Sequence, residues 1–265
     1  MTFVLDKRGG HNRKKVNQHF FKHWSPNMAY ILGYIFADGT LIDSKPSRTC
    51  YLKITSIDKE HLEAINTVLE RDGKLYKQKN RITKNGSKSK DCYYISIGSR
   101  KIFNDLLKFG LTPKKSLIIK FPIVPKRYLR DFVRGVFDGD GCIYKDPKSN
   151  RLVVTFTSGS KEFLEALASL LCKDAFVTKK RILKGTRCFQ IRYSTRETVK
   201  VLDFMYRGIE ESLFLERKRR IYETWRGTQV VRDLPAKQPY AGSIPARASN
   251  PHSGLPPFSI LENRN

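Results

Sequence analysis

The chain has 265 residues, enough for one large core or two small ones, and its 40% hydrophobic content is that of a soluble globular protein. Lys and Arg number 51 against 25 acidic residues, a net charge of +26, which calls for a polyanionic partner and says nothing about fold. No apolar run approaches the roughly 20 residues of a spanning helix and no signal peptide is visible, so nucleic acid rather than a membrane is the expected partner.

Residues 1–23 form a basic leader with His11, His19 and His23 among Lys and Arg. It reads either as a DNA-contacting arm or as a solvated leader. Ser25-Pro26 then supplies an N-cap and a first-turn proline for an apolar helical run, Met28 to Leu41. That run carries Gly33 and ends in Asp38-Gly39. Tyr51 to Ser56 alternates like a strand, and His61 to Leu69 is an amphipathic helix. A basic hairpin is predicted from Lys74–Arg81 with Cys92–Ile97, and a helix over Arg100–Lys108. Residues 111–126 contain Pro113, Pro122 and Pro125 and read as a linker with a short extended piece, Leu117 to Phe121.

The chain then repeats its own design. Tyr128 to Ile143 is a second apolar helical run with an internal glycine, Gly135, ending in Asp140-Gly141. Asp38 to Asp140 is a step of 102 residues, and so are Ser56 to Ser158 and Leu62 to Leu164. Leu152–Ser158 is a strand, Phe163–Leu171 a helix, Phe176–Leu183 with Cys188–Tyr193 a second basic hairpin, and Glu197–Met205 a helix. Phe214–Trp225 adds one more basic helix. The order α-β-β-α-β-β-α thus occurs twice, over 24–110 and 127–226. Residues 227–265 have six of the twelve prolines and no periodic apolar face, and are expected to be a disordered tail.

A glycine inside a helix costs roughly 0.5–1 kcal/mol relative to alanine, so a matched glycine in both runs asks for a reason. Close helix contact supplies one, with Gly33 and Ala37 on one face and Gly135 and Gly139 on the other. Asp38 and Asp140 would then lie at two adjacent helix C-termini, where a carboxylate is disfavoured by about 0.3–1 kcal/mol. A cation bound between them would resolve the conflict, and hard oxygen ligands suit a magnesium-type ion. The five cysteines, Cys50, Cys92, Cys142, Cys172 and Cys188, are widely spaced, with no C-x-x-C pair, and read as reduced and structural.

ILGYIFADG (Ile31–Gly39) and VRGVFDGDG (Val133–Gly141) resemble the paired signature of the LAGLIDADG homing endonucleases, and the resemblance covers about residues 24 to 226. It implies an α+β fold of two pseudo-symmetric repeats, with the signature helices packed at the domain interface and the antiparallel sheets forming a saddle over DNA. It implies a single-chain, monomeric, site-specific endonuclease acting on both strands of a long asymmetric target. Asp38 and Asp140 would be catalytic and bind metal, with Gly39 and Gly141 as further metal ligands. The ion would be Mg²⁺ or Mn²⁺, with Ca²⁺ as a non-catalytic substitute. The first copy has Phe36 where the family often has an earlier acidic residue, and Asp138 keeps it in the second.

Ser56 and Ser158 match a family position that orders solvent near the metals, or else serve as helix N-caps. A family lysine near the end of the fourth strand is missing from ISIGS (Ile95–Ser99) and IRYST (Ile191–Thr195), leaving Arg192 as the nearest basic residue in the second half. Residues 74–101 hold nine Lys or Arg against one acid and residues 173–196 eight against one, so the hairpins are the expected DNA ribbons. Lys53, Lys74, Lys77, Lys79 and Arg81 in the first half, and Lys179, Lys180, Arg181, Lys184, Arg187 and Arg192 in the second, are the candidate contacts. Lys77, Lys79 and Arg81 would share one face, as would Lys180, Ile182 and Lys184.

A non-catalytic binder of the same fold, an intron RNA maturase or a DNA-binding regulator, is the alternative. Intein splicing is not expected, because no N-terminal Cys or Ser nucleophile and no C-terminal His-Asn pair frame the domain. The expected location is intracellular, with the host DNA in cytoplasm, nucleoid or organelle matrix. Ala241 to Ala246 (AGSIPA) can be encoded by a sequence that reads as the T arm of a transfer RNA, which links the gene to a tRNA locus; the alternative is an ordinary Pro-Ser-rich tail.

Overall fold

In the computed structural model of the chain, described over residues 15–44, 49–78, 91–146, 151–194, 196–209 and 212–233, Ser25 starts the first long helix. Its Oγ accepts the Met28 N–H at 3.1 Å and Pro26 opens the first turn, so α1 runs Pro26–Asp38. There follow β1 (Gly39–Ser44), β2 (Thr49–Ser56), α2 (Lys59–Val68), β3 (Tyr76–Gln78), β4 (Cys92–Ile97) and α3 (Arg100–Lys108). The second half repeats the order with α4 (Leu129–Asp140), β5 (Cys142–Lys145), β6 (Leu152–Ser158), α5 (Lys161–Asp174), β7 (Leu183–Lys184), β8 (Phe189–Ser194) and α6 (Arg196–Tyr206). A last helix, α7, spans Glu216–Asp233.

Each half folds its strands into one antiparallel sheet, in the orders β1-β2-β4-β3 and β5-β6-β8-β7. Alternation decides the faces. In β2, Cys50, Leu52 and Ile54 are buried while Tyr51, Lys53 and Thr55 are not; in β8, Ile191 and Tyr193 are buried while Arg192 and Ser194 are exposed. The fold is α+β with two matching repeats, as the sequence predicts.

The two signature helices cross at their glycines. A Cβ on Gly33 would lie 2.1 Å from Phe132 O, and one on Gly135 would lie 2.0 Å from Tyr30 O. One turn further on, a Cβ on Gly139 would meet that of Ala37 at 2.4 Å, so the helices stay in contact to their C-terminal ends. Between Met28 and Phe36 every residue of α1 is buried, which explains why this helix is apolar all round.

Four local expectations are corrected. Leu117–Phe121 is not an extended piece: residues 115–117 form a 3-10 turn, with the Ile118 and Ile119 N–H groups both donating to Lys115 O. Phe176–Leu183 contributes only Leu183 to the ladder, with Lys184 after it, because α6 captures the preceding backbone. The Thr178 N–H donates to Glu197 Oε1 at 2.8 Å, and Lys200 Nζ donates to Phe176 O at 2.9 Å. Residues 15–23 are docked, not a solvated leader: Phe21 is buried and the Asn17 N–H donates to Leu69 O. Finally, α7 continues to Asp233, into the stretch expected to be a tail, while residues 1–14 and 234–265 lie outside the described residues. All five cysteines are free, and no helix among the described residues is long and apolar enough to cross a membrane.

Candidate active site

The crossing brings the C-terminal ends of α1 and α4 together, and with them Asp38 and Asp140. Asp38 Oδ2 lies 3.4 Å from the position a Cβ would take on Gly139, the neighbour of Asp140. Burial pushes the Asp38 carboxyl up to about 6, the charge of Asp140 adds to the rise, and Lys218, Lys115 and a hydrogen bond from Tyr34 oppose it. Asp140 is raised as well, by burial, against Lys115 and Lys218. Two carboxylates thus share one enclosure that disfavours their charged forms.

The last carbonyls of a helix lack intrahelical partners and concentrate negative potential. Here two lysines supply the missing donors. Lys115 Nζ donates to Phe36 O at 2.5 Å and Ala37 O at 3.0 Å, at the end of α1. Lys218 Nζ donates to Phe137 O at 2.5 Å, Asp138 O at 2.9 Å and Gly141 O at 2.6 Å, at the end of α4. They are 6% and 2% exposed, and burial pushes each ammonium pKa down to about 8. The fields cross over: of the two lysines, Lys218 acts more strongly on Asp38 and Lys115 more strongly on Asp140. Each lysine therefore caps one signature helix and bears on the carboxylate of the other.

A hard divalent cation fits this donor set. No group of three or more His, Cys, Asp or Glu side chains suited to a metal occurs among the described residues, so Asp38 and Asp140 would hold the ion together with water and substrate phosphate oxygens, as magnesium commonly requires. The Gly141 carbonyl, a candidate ligand by resemblance, already accepts Lys218; Gly39 sits opposite Ile54 at the start of the β1–β2 ladder.

Ser56 and Ser158 end β2 and β6, and neither is a helix N-cap. The caps are Asp58 and Ser160, and each serine Oγ instead accepts the N–H two residues on, from Asp58 at 3.1 Å and Ser160 at 3.2 Å. Ser56 Oγ also lies 3.2 Å from the Tyr34 hydroxyl, which is within reach of Asp38, so Tyr34 stands between this position and the carboxylate.

The basic candidates divide between the two faces of the sheets. Lys53 is on the face turned away from the core, its Nζ 4.1 Å from the centre of the Tyr94 ring, which stacks on Tyr76 at 5.2 Å. Arg192 shares the matching face of the second sheet and donates to the Tyr144 hydroxyl at 2.5 Å. Lys77 pairs opposite Tyr93, and Lys184 opposite Phe189, both of which pack on the core. Their register therefore sets them on the helix-side face. Lys180 is bound to Glu197 and Ile182 packs on the core, so of the row Lys180, Ile182, Lys184 expected to share one face, Ile182 and Lys184 lie on the helix side of the sheet. Lys74, Lys179, Arg181 and Arg187 are exposed, and Lys79 and Arg81 lie outside the described residues.

Lys115 and Lys218 are the site residues that sequence reasoning missed. They stand 103 residues apart where the repeat offset is 102, in the unlike contexts PKKSL and LERKRR, so neither pattern nor register marks them as a pair. The Lys-Lys after the helix stop at Gly110 was the one available signal.

A family model described as a LAGLIDADG-like domain matches residues 25–109 and 127–203. Among curated proteins, the DNA-directed RNA polymerase subunit Rpo1C of Methanocaldococcus jannaschii is 26% identical over 148 residues, 56% of this chain and 16% of that protein. The ribonucleoside-diphosphate reductase NrdEB subunit alpha of Bacillus subtilis is 24% identical over 152 residues, 55% of this chain and 14% of that protein. The chain thus spans less than a fifth of the length of either relative. Among solved structures, the homing endonuclease I-WcaI bound to its DNA recognition sequence superposes with a TM-score of 0.54 at 16% identity, covering 73% of this chain and 88% of that one. A lysine-to-alanine point mutant of I-SmaMI gives 0.51 at 12% identity, covering 79% and 92%. At these identities the likeness is one of fold.

Proposed function

The chain belongs to the LAGLIDADG family, and from that premise we propose that it is a site-specific endonuclease hydrolysing one phosphodiester in each strand of a DNA duplex. The observation that carries this reading is the pairing of Asp38 and Asp140 in an enclosure that raises both pKa values, with two buried ammonium groups beside them, Lys115 from the linker and Lys218 from the second half. A protein that only binds nucleic acid has no use for a site that penalises its own charged form. A catalyst does, because perturbed groups of this kind are where a cation and a phosphate are handled.

The net charge of +26 draws in the duplex, and Lys53, Arg192 and the tyrosines around them meet it on the exposed faces of the sheets. The scissile phosphates are brought over the ends of α1 and α4. Asp38 and Asp140 would hold a divalent ion, Mg²⁺ or Mn²⁺ for cutting and Ca²⁺ as a non-catalytic substitute. When bound, the ion supplies water activation and charge stabilisation at the departing oxygen. Lys115 and Lys218 keep positive charge next to the phosphates, and at about 8 their pKa values let them exchange a proton with solvent near neutral pH. Ser56 and Ser158, at the strand ends, would order water near the carboxylates.

One chain carries both repeats, so it acts as a monomer on a long asymmetric site, inside the cell with the DNA it cuts. The uninterrupted form of a tRNA gene is the first target to try, given the coding potential of Ala241–Ala246. Incubating the protein and magnesium with a supercoiled plasmid bearing that site should give linear DNA cut at one place. Tight binding with the plasmid left intact would overturn the reading in favour of a maturase or a regulator.

A further inference from the structure

The two lysines match in place but are delivered by different means. Asp138, 1% exposed, accepts three hydrogen bonds: from the Tyr206 hydroxyl at 2.6 Å on Oδ1, and from the Tyr30 hydroxyl and the Leu215 N–H, both at 2.8 Å, on Oδ2. Burial raises its pKa, while Lys218 and these three donors oppose the rise. Three contacts converging on one buried carboxyl group fix its orientation, and through Oδ2 they fix the Leu215 backbone. Leu215 stands at the mouth of α7, and its carbonyl accepts the Lys218 N–H at 3.0 Å. Fixing Leu215 thus fixes the first turn of α7, from which Lys218 reaches the end of α4.

The same segment is held at three further points. Arg134, wholly buried, donates to Leu213 O at 3.0 Å and to Ser212 Oγ at 2.6 Å. Asn27 Oδ1 accepts the Leu213 N–H at 3.0 Å, and Arg217 Nε lies 3.0 and 3.1 Å from the two carboxylate oxygens of Asp58. Among the described residues of the first half none of this recurs. Phe36 occupies the position equivalent to Asp138, and it meets Phe132, the equivalent of Tyr30, edge to face at 5.3 Å. Lys115 is carried instead by its 3-10 turn, with the Ser116 carbonyl packed so closely on Gly159 that a Cβ there would lie 2.3 Å away.

We propose that Asp138 is a positioning residue for Lys218 alone, so that cutting of one DNA strand depends on Asp138 while cutting of the other, served by Lys115, does not. The proposal rests on the nuclease reading and deepens it. Asp138 acts by holding Leu215, whose carbonyl accepts the Lys218 N–H, and by its charge on the Lys218 ammonium group, which also donates to the Asp138 backbone carbonyl.

The test is Asp138→Asn, which keeps the size of the side chain and removes its charge. On a supercoiled plasmid carrying the target, the variant should accumulate nicked circles, with cutting of one strand slowed by about a hundredfold, the effect of a small misplacement in a catalytic group. End-labelled duplex should show that the slowed strand is the one slowed by Lys218→Met, and the double variant should be no slower than Lys218→Met alone. Equal slowing of both strands, or additive losses in the double variant, would overturn the proposal. Where Asp138→Asn fails to fold, Tyr206→Phe removes one of the three donors and should bias cutting against the same strand. A wild-type protein that cuts no DNA would sink the nuclease reading, and the positioning role is then read by chemistry: acetic anhydride should acetylate Lys218 about tenfold faster in Asp138→Asn than in wild type, as expected when the Leu215 N–H loses its bond to a carboxylate and the first turn of α7 opens more often. An unchanged rate of Lys218 acetylation would overturn it.

Discussion

Gly33 and Gly135 each press against the backbone of the opposite signature helix, at distances from which any side chain is excluded. A Cβ would lie 2.1 Å from Phe132 O in one case and 2.0 Å from Tyr30 O in the other. Alanine at either position would favour an isolated helix by about 1 kcal/mol. In this protein Gly135→Ala should instead lower stability by about 1–3 kcal/mol or more, because the neighbour is backbone and the helices must separate. Thermal melting checks it, and a raised Tm would mean that the helices do not cross here.

Asp38→Asn and Asp140→Asn should each abolish double-strand cleavage while leaving DNA affinity within a few-fold of wild type. Neither residue lies on the exposed sheet faces that carry Lys53 and Arg192. Plasmid cleavage measured beside a gel-shift titration separates the two effects. Full cleavage by the double variant would end the assignment of the site.

The pH dependence of stability has a definite sign. Asp38 in the metal-free fold is raised from 3.8 to about 6, so the folded state holds a proton that the unfolded chain has released between those values. Its contribution favours folding below about pH 4 and is lost as pH rises through 6. Asp38→Asn removes the penalty. In the absence of divalent ions it should therefore stabilise the protein at pH 8 by about 1–2 kcal/mol and leave it almost unchanged at pH 4, the gain growing between. Chemical denaturation at the two pH values measures this, and an equal effect at both would show that the carboxyl is not perturbed.

Strand register makes a prediction about which basic residues matter. Lys53→Ala and Arg192→Ala should weaken DNA binding and each reduce the slope of log K against log salt by about 1, the signature of one lost phosphate contact. Lys77→Ala and Lys184→Ala, on the helix-side faces with Tyr93 and Phe189, should change affinity much less. A larger loss from Lys77 than from Lys53 would place the DNA on the other face of the sheet.

The sequence by itself determined the features that are local or periodic. The apolar runs, the internal glycines, the Asp-Gly ends and the 102-residue offset are all properties of short stretches, and together they led to two repeats and two carboxylates at helix ends. The N-cap at Ser25 and the alternation in β2 were legible for the same reason: a cap and a pleat act over a few residues.

Only the tertiary structure decided what depends on distant partners. Lys77 and Lys79 look like members of one row in the chain, yet the face that Lys77 occupies is set by pairing with Tyr93, and a one-residue change of register would reverse it. The stretch before β7 alternates like a strand but is held off the ladder by Glu197 and Lys200, which lie about twenty residues further on. Lys115 and Lys218 were invisible among 51 basic residues, because what distinguishes them is the set of carbonyl oxygens they reach across the fold. Free backbone carbonyls at a helix end attract any nearby ammonium group; which lysine arrives there is settled by how the turn before it is anchored, and that is a property of the folded chain alone.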